Sequence, residues 1–232
     1  MGRHDRLKIA FLTCSASLAI LLSIPATIAA QSPPTGGGLP AAIPIFPLQD
    51  ATLFPNGSYA FHIFEPRYRA MVADALKGDR IIGMVMLQPG HEAEYEGRPP
   101  IFPIGCAGVI TGYEELPGGE YNIVLRGLAK FRVASEENSR PYRLASIATV
   151  PESLDADEAA ALTKDRDRIA ALLMALGVDP PPPEVPDAQV VDQLAQHLPI
   201  EALDRQRLLE REDPLARASL VLEVLARLVN AP

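Results

Sequence analysis

The chain has 232 residues, which is enough for one or two domains with a substantial core. Hydrophobic residues make up 48% of it and charged residues 22%, a globular composition that excludes a largely disordered chain. The formal net charge of −8 repels phosphate backbones and anionic lipid, so nucleic acid is not an expected partner.

The first thirty residues have the layout of a secretory signal peptide. A basic region over residues 3–8 precedes an uncharged apolar stretch over residues 9–30. Pro25 ends the helical pattern just before several small residues, which favours cleavage near Ala30 and a mature chain that begins at Gln31. The expected location is therefore the periplasm or the cell exterior, without a membrane anchor. An uncleaved membrane anchor and a wrongly assigned start codon, which would return the protein to the cytoplasm, remain as alternatives.

Cysteine usage argues against a fold that depends on disulfide bonds. Cys14 lies within the predicted signal peptide, which leaves Cys106 as the single cysteine of the mature chain. Cys106 lies in an apolar segment, and we interpret it as a small buried hydrophobic residue rather than a nucleophile.

A Pro/Gly-rich linker over residues 31–42 leads into a β-rich lobe over residues 43–150. Short β-prone runs separated by glycine and proline predict a small barrel or sandwich. The predicted strands are Tyr59–Phe64, Ile81–Leu87, Pro103–Tyr113, Tyr121–Arg126, Lys130–Ala134 and Arg143–Val150. Gly118 and Gly119 are expected to close a hairpin.

Helical periodicity occurs once in the β-rich lobe and throughout the segment that follows. Pro66 begins a helix that ends at Gly78 and that should cap the sheet. Residues 151–232 form a helical subdomain with four predicted helices. Their predicted caps are Ser153 or Asp155, Asp187 and Asp213.

Several segments, taken together, resemble the amino-terminal substrate-recognition domain of Lon proteases. They are IPIFPLQDATLFPNGSYAFHIFEPRYRAMV (43–72), DRIIGMVML (79–87), IGCAGVI (104–110), YNIVLRGLAKFRV (121–133) and LPIEALDRQRLLEREDPLARASLVLEVL (198–225). The resemblance implies an α+β fold, in which a PUA-like β-rich pseudo-barrel with one helix is followed by an α-helical bundle. It also implies a role in recognising unfolded polypeptide, although a fold alone does not establish an activity.

The candidate peptide-binding residues lie in two segments of the β-rich lobe. Phe64, Arg67 and Tyr68 surround the start of the predicted helix, and Met84 and Met86 alternate along a strand. Aromatic and thioether side chains adapt to many partners, and a sheet edge can pair with an extended peptide. Core packing is the alternative interpretation of the apolar side chains, and an ion pair is the alternative for Arg67.

The sequence lacks the motifs of P-loop ATPases and of serine hydrolases with a nucleophile elbow. It has neither a glycine-rich loop ending in Gly-Lys-Ser/Thr nor a Gly-x-Ser-x-Gly element, and it ends where the ATPase module of Lon would begin. We therefore assign no catalytic residue and no cofactor. The acidic stretch over residues 91–96 lacks a spaced pair of strong metal ligands, so we assign no metal site. His62 and His197 are interpreted as structural.

Two classes of function follow from these observations. The first is a non-catalytic binding module for unfolded or extended polypeptide. The second is a scaffold subunit that delivers clients to a separate protease or chaperone. A hydrolase with a dispersed catalytic triad is a distant third, because such groups meet only in space.

The first prediction concerns processing. The basic start, the apolar run and the small residues before Gln31 predict that mature protein begins near Gln31 outside the cytoplasm. Intact-mass spectrometry of protein from fractionated cells measures this directly. Soluble cytoplasmic protein that still carries Met1 would contradict the prediction.

Overall fold

The computed structural model describes residues 38–91, 94 and 97–231, so the predicted signal peptide and most of the predicted linker lie outside the described residues. The strands are β1 (Ala42–Leu48), β2 (Ser58–Ile63), β3 (Ile81–Met86), β4 (Ile104–Leu116), β5 (Glu120–Glu137) and β6 (Arg143–Thr149). The helices are α1 (Pro66–Lys77), α2 (Ala156–Ala175), α3 (Asp187–His197), α4 (Ala202–Leu209) and α5 (Pro214–Val229). No helix among them is long and apolar enough to cross a bilayer.

The strands form one mixed sheet that closes on itself. Their order is β2-β5-β4-β3-β1-β6, and β6 also pairs with β5, which completes a five-stranded barrel. The β1–β3 pair is parallel and the remaining pairs are antiparallel. The second strand stands outside the ring, where it pairs with the first half of β5. This arrangement confirms the α+β class with a barrel-like β-rich lobe.

A small apolar core fills the barrel around Phe131. Its ring lies where two strands carry glycine, because a Cβ atom at Gly83 or Gly105 would approach it to 2.7 or 2.9 Å. The two glycines therefore permit close packing of the Phe131 ring against their strands.

The hairpin between β4 and β5 confirms the predicted turn, since Gly118 and Gly119 have φ values of 95° and 77°. The prediction of two separate strands after it is wrong, because β5 runs unbroken from Glu120 to Glu137. Gly127 marks a close approach instead of a turn: a Cβ atom there would lie 2.0 Å from the backbone oxygen of Phe54. A register shift against β4 accommodates the extra residue at this point.

The helices follow the predicted pattern with one exception at a cap. The first helix begins at Pro66 and is followed by Gly78, and four helices follow the barrel, as predicted. Asp155 forms a capping box and Asp213 accepts a hydrogen bond from the backbone of the last helix. Asp187 is not a cap but the first residue of α3, where its carboxylate binds Arg166 at 2.7 Å.

A second and larger core joins the two lobes. Apolar side chains from α1, the outer side of the barrel and all four later helices form one buried cluster. Two glutamine side chains also connect the helices to the β-rich lobe by hydrogen bonds. Gln196 accepts from the Phe54 amide at 3.1 Å and donates to the Ser58 carbonyl at 2.9 Å, and Gln206 donates to the Ile104 carbonyl at 3.0 Å.

Four charged side chains meet at this junction. Lys130 of the barrel lies 2.7 Å from Glu152, and Arg217 of the last helix pairs with both Glu152 and Asp192. Asn56 of the β-rich lobe donates to the second oxygen of Asp192 at 3.3 Å. Lys130, Asp192 and Arg217 are buried, so the two cations and two anions balance each other away from water.

Burial raises the pKa of Asp192 to about 6, although Arg217 opposes the rise, because lost hydration outweighs the attraction between the two groups. The nearby Glu152 carboxylate adds to the rise. The folded protein therefore holds the proton of Asp192 over a range of pH in which the unfolded chain releases it. The stability that this site contributes is present below about pH 4 and decreases as the pH rises towards 6.

The second prediction tests this linkage with Asp192→Asn. Asparagine does not ionise, so only wild type loses stability through this site as the pH rises from 4 to 7. The free energy of unfolding of the variant minus that of wild type should therefore become more positive by about 3 kcal/mol over this range, which corresponds to about two pKa units. Urea denaturation at several pH values measures the difference. Asp204→Asn, at an exposed ion pair with Arg207, is the control for loss of a surface carboxylate. A difference for Asp192→Asn that does not vary with pH would contradict the prediction.

Candidate functional site

The five residues predicted to bind peptide do not form one surface. Phe64 is exposed just after β2, whereas Arg67 lies in the first turn of α1 with its guanidinium 4.6 Å from the Tyr68 ring. Met84 and Met86 lie within β3. The structure thus brings Arg67 and Tyr68 together and leaves Phe64 and the two methionines in separate surroundings.

Three of the five side chains are buried, so the expectation that they offer contact surface is wrong. Tyr68 is 4% exposed, Met84 2% and Met86 4%. The Tyr68 ring packs edge-on against Phe46 at 4.7 Å, in the core between the lobes. Every residue of β3 is buried, because the barrel interior covers one side of the strand and the helical lobe covers the other.

Phe64 belongs to a different surface, here called the outer sheet face. It consists of the solvent-facing residues of β2, β4 and β5 together with the ring that follows β2: Ala60, His62, Phe64, Gly112, Glu114, Asn122 and Val124. Two rows of paired residues cross it, namely Ala60–Val124–Gly112 and His62–Asn122–Glu114.

The two rows together line a depression of about 390 Å³, and the first row forms an apolar part of it. Val124 is 41% exposed and stands between Ala60 and Gly112, whose small size leaves space on both sides of it. Phe64, 59% exposed, stacks on the His62 ring at 6.1 Å beside this depression. Exposed apolar groups gathered in one concave area are typical of interaction surfaces.

The second row is polar and held in place by its own contacts. His62 contacts the Asn122 side-chain oxygen at 3.0 Å and Glu120 at 3.1 Å, and Asn122 donates to Glu114 at 3.0 Å. The apolar depression therefore has a border of hydrogen-bonding and acidic groups that can meet the polar backbone or basic side chains of a peptide.

Strand β2 forms one border of the outer sheet face. Among the described strands, only β5 pairs with β2. The carbonyl of Ser58, at the start of β2, receives the Gln196 amide, while Tyr59 and Phe61 point inward and pack against the core. An extended peptide can add to such an edge by backbone hydrogen bonds.

A second concave surface, here called the arginine pocket, lies beside α1. It has a volume of about 240 Å³. Its lining includes three arginines and an apolar wall, namely Arg67, Arg98, Arg143, Pro47, Tyr68, Leu87, Pro99 and Pro141. Arg98 and Arg143 lie 3.9 and 3.1 Å from the Glu136 carboxylate, and Arg67 lies 3.0 Å from Glu65.

The pocket also contains a fixed tyrosine. Tyr142 donates to the Asp74 carboxylate at 2.9 Å, and this hydrogen bond holds the pKa of Asp74 below its usual range. Burial together with the Asp74 carboxylate raises the pKa of Tyr142 to about 12, so the phenol keeps its proton at neutral pH. Asp74 also pairs with Lys77 and Arg140, so its charge is already balanced outside the pocket.

Sequence reasoning missed the exposed residues of the sheet and two of the three pocket arginines. The clue for Val124 was present, because Tyr121, Ile123 and Leu125 alternate inward and leave Val124 as an apolar residue on the polar side of its strand. Arg98 and Arg143 come from segments far apart in the sequence, and no local pattern predicts that they meet.

The described residues show no arrangement for metal binding or thiol chemistry. They contain no group of three His, Cys, Asp or Glu side chains placed to hold a metal ion. His91 contacts Glu94 at 2.9 Å, while Glu92 and Glu96 of the acidic stretch lie outside the described residues. Cys106 is fully buried, and burial raises the pKa of its thiol, so the reactive thiolate is disfavoured.

Comparison with known families decides the relationship. Residues 42–227 match the model of the ATP-dependent protease La (LON) substrate-binding domain. The chain belongs to this family. Similar relatives include Lon protease 2 of Myxococcus xanthus, 28% identical over 203 residues, and Lon protease 2 of Sorangium cellulosum, 30% identical over 200 residues. These matches cover 82% and 80% of the chain but 24% of each relative, so the chain spans about a quarter of their length.

Solved structures of Lon amino-terminal domains share the fold. The N-terminal domain of the Mycobacterium avium complex Lon protease aligns with a TM-score of 0.62 at 15% identity, covering 80% of this chain and 98% of that one. The Lon N-terminal domain protein from Xanthomonas campestris aligns with a TM-score of 0.55 at 23% identity, covering 78% and 97%. At these identities the likeness concerns the fold.

The third prediction separates core residues from surface residues of this Lon-type domain. Met84→Ala should lower the free energy of unfolding by about 2–5 kcal/mol, because it opens a cavity in the core between the lobes. Phe64→Ala, at an exposed ring, should change it by less than about 0.5 kcal/mol. Urea denaturation monitored by circular dichroism gives both values. Equal losses in the two variants would contradict the assignment of Phe64 to the surface.

Proposed function

We propose that this chain binds unfolded or extended polypeptide through the outer sheet face, and that it does so without catalysis. Membership of the Lon substrate-binding domain family supports recognition of a substrate. The observation that carries the proposal for this surface is the exposed pair Phe64 and Val124, which stands beside the unpaired edge of β2 among the described strands.

The two parts of the surface suit different parts of a peptide. Hydrogen bonds along the β2 edge recognise the backbone that every extended chain carries, whatever its sequence. The depression between Ala60 and Gly112 receives an apolar side chain, and Phe64 adds a ring next to it. A folded client hides both its backbone and its apolar groups, so the surface selects unfolded chains.

Broad recognition of this kind limits affinity. Ordering a flexible peptide costs conformational entropy, and a small apolar depression recovers only part of that free energy. We expect micromolar dissociation constants, which correspond to a binding free energy on the order of −8 kcal/mol. Binding of this strength suits repeated capture and release of clients.

The remaining parts of the proposal concern chemistry and location. The family match concerns a substrate-binding domain, which supports a binding role without catalysis. The sequence has no nucleotide-binding loop motif, so the proposal includes no cofactor. The basic and apolar leader supports export to the periplasm or the cell exterior, where the clients would be unfolded exported proteins.

The fourth prediction tests the outer sheet face. Reduced, carboxymethylated lactalbumin, which stays unfolded, should bind wild-type protein saturably, and native lactalbumin should not. The double variant Phe64→Ser, Val124→Ser should bind at least about tenfold more weakly, because it removes the apolar contact while both positions remain exposed. Isothermal titration calorimetry measures the dissociation constants of unfolded lactalbumin for wild type and for the double variant, and it tests native lactalbumin for binding.

The control is Met174→Ser, which removes an equally exposed apolar side chain from α2 of the other lobe. This variant should bind as wild type does. Equal affinity of the double variant and wild type would place the binding surface elsewhere. Fragmentation of the lactalbumin during the titration would contradict the non-catalytic part of the proposal.

A further inference from the structure

The arginine pocket combines concentrated positive charge with an apolar wall in a protein whose net charge is −8. Arg98 and Arg143 share one carboxylate, that of Glu136, so two positive charges face one negative charge within this trio. Elsewhere in the lining, Arg67 pairs with Glu65 and stacks over the Tyr68 ring. The excess of positive charge favours an anionic ligand.

The arginines are held in place before any ligand arrives. Arg98 donates to the carbonyls of Glu137 at 3.1 Å and Tyr142 at 3.5 Å. Arg143 is buried, and it donates to the Pro99 carbonyl at 2.5 Å as well as to Glu136. A fixed guanidinium loses little entropy when it binds a ligand, which raises the affinity that each contact provides.

Electrostatics point in the same direction. Burial holds the pKa of Arg143 below its usual range, and the nearby Arg98 charge lowers it further, while Glu136 opposes the change. Arg98 and Arg143 therefore lie close enough to repel each other inside the protein. An additional anion in the pocket relieves this repulsion.

We propose that the arginine pocket binds the C-terminal residue of a polypeptide, with the terminal carboxylate on the guanidinium groups and an apolar side chain against Pro47, Tyr68 and Leu87. A carboxylate matches the planar fork of an arginine. The volume of about 240 Å³ is below the range of pockets for larger ligands and suits a single residue. The inference rests on the proposed function and deepens it, because it adds selection for a free chain end to capture of an unfolded chain.

The test uses a short, labelled, unstructured peptide that ends in leucine, prepared with a free C-terminal carboxylate and with a carboxamide. Fluorescence anisotropy should show that the carboxylate form binds wild-type protein about tenfold more tightly, and that added salt weakens this form more than the amide. Arg98→Gln and Arg67→Gln should each remove most of the difference. Arg168→Gln, at an exposed ion pair on α2, loses the same charge and should keep the difference.

Two further measurements keep the outcomes distinct. Circular dichroism identifies a variant that fails to fold, and the salt dependence of the wild-type protein tests the pocket without any variant. N-acetyl-leucine serves as a competitor that represents a free small acid. It should displace the peptide only at much higher concentration, since it lacks the rest of the chain.

Equal affinity for the carboxylate and the amide, with unfolded lactalbumin still bound, would overturn this inference and leave the proposed function standing. Failure of both peptides and of lactalbumin to bind would overturn both. Displacement by N-acetyl-leucine at concentrations equal to those of the peptide would assign the pocket to small acids and overturn the polypeptide assignment.

Discussion

The buried ion network at the junction of the lobes is the constraint on which the rest of the structure depends. Lys130 comes from the barrel, Arg217 from the last helix, and Glu152 and Asp192 lie between them. Removing one partner of such a network leaves an uncompensated charge away from water, which typically costs about 3–5 kcal/mol. The network therefore requires both lobes to be folded and correctly placed, because each lobe neutralises the charges of the other.

This junction also decides which parts of the sheet remain open to partners. The helical lobe covers one side of β3, and the barrel interior covers the other side. The half of the hairpin between β4 and β5 that pairs with β2 extends beyond this cover and presents Val124 to solvent. The arginine pocket opens where α1 meets the segments around Arg98 and Tyr142. Both candidate surfaces thus lie on parts of the β-rich lobe that the helical lobe does not cover.

Local patterns in the sequence predicted most of the elements, because caps, turns and amphipathic stripes act over a few residues. Pro66, Gly118 and Asp155 mark boundaries that the structure confirms. The burial of Met84 could not be predicted, since alternation along a strand does not reveal that both sides of the strand are covered. The continuity of β5 through Gly127 could not be predicted either, since the role of this glycine depends on the Phe54 carbonyl, which is distant in the sequence.

The position of β2 outside the ring has a thermodynamic consequence. A strand paired on one side opens more readily than the strands of the closed barrel, so β2 should belong to the less protected part of the β-rich lobe. A peptide that pairs with its free edge changes β2 from a border strand into an interior one. Binding of the peptide then also lowers the population of the locally opened state of β2. Occupancy of the β2 edge and local order of β2 are thereby linked. A bound client should slow the exchange of the backbone amide hydrogens of β2.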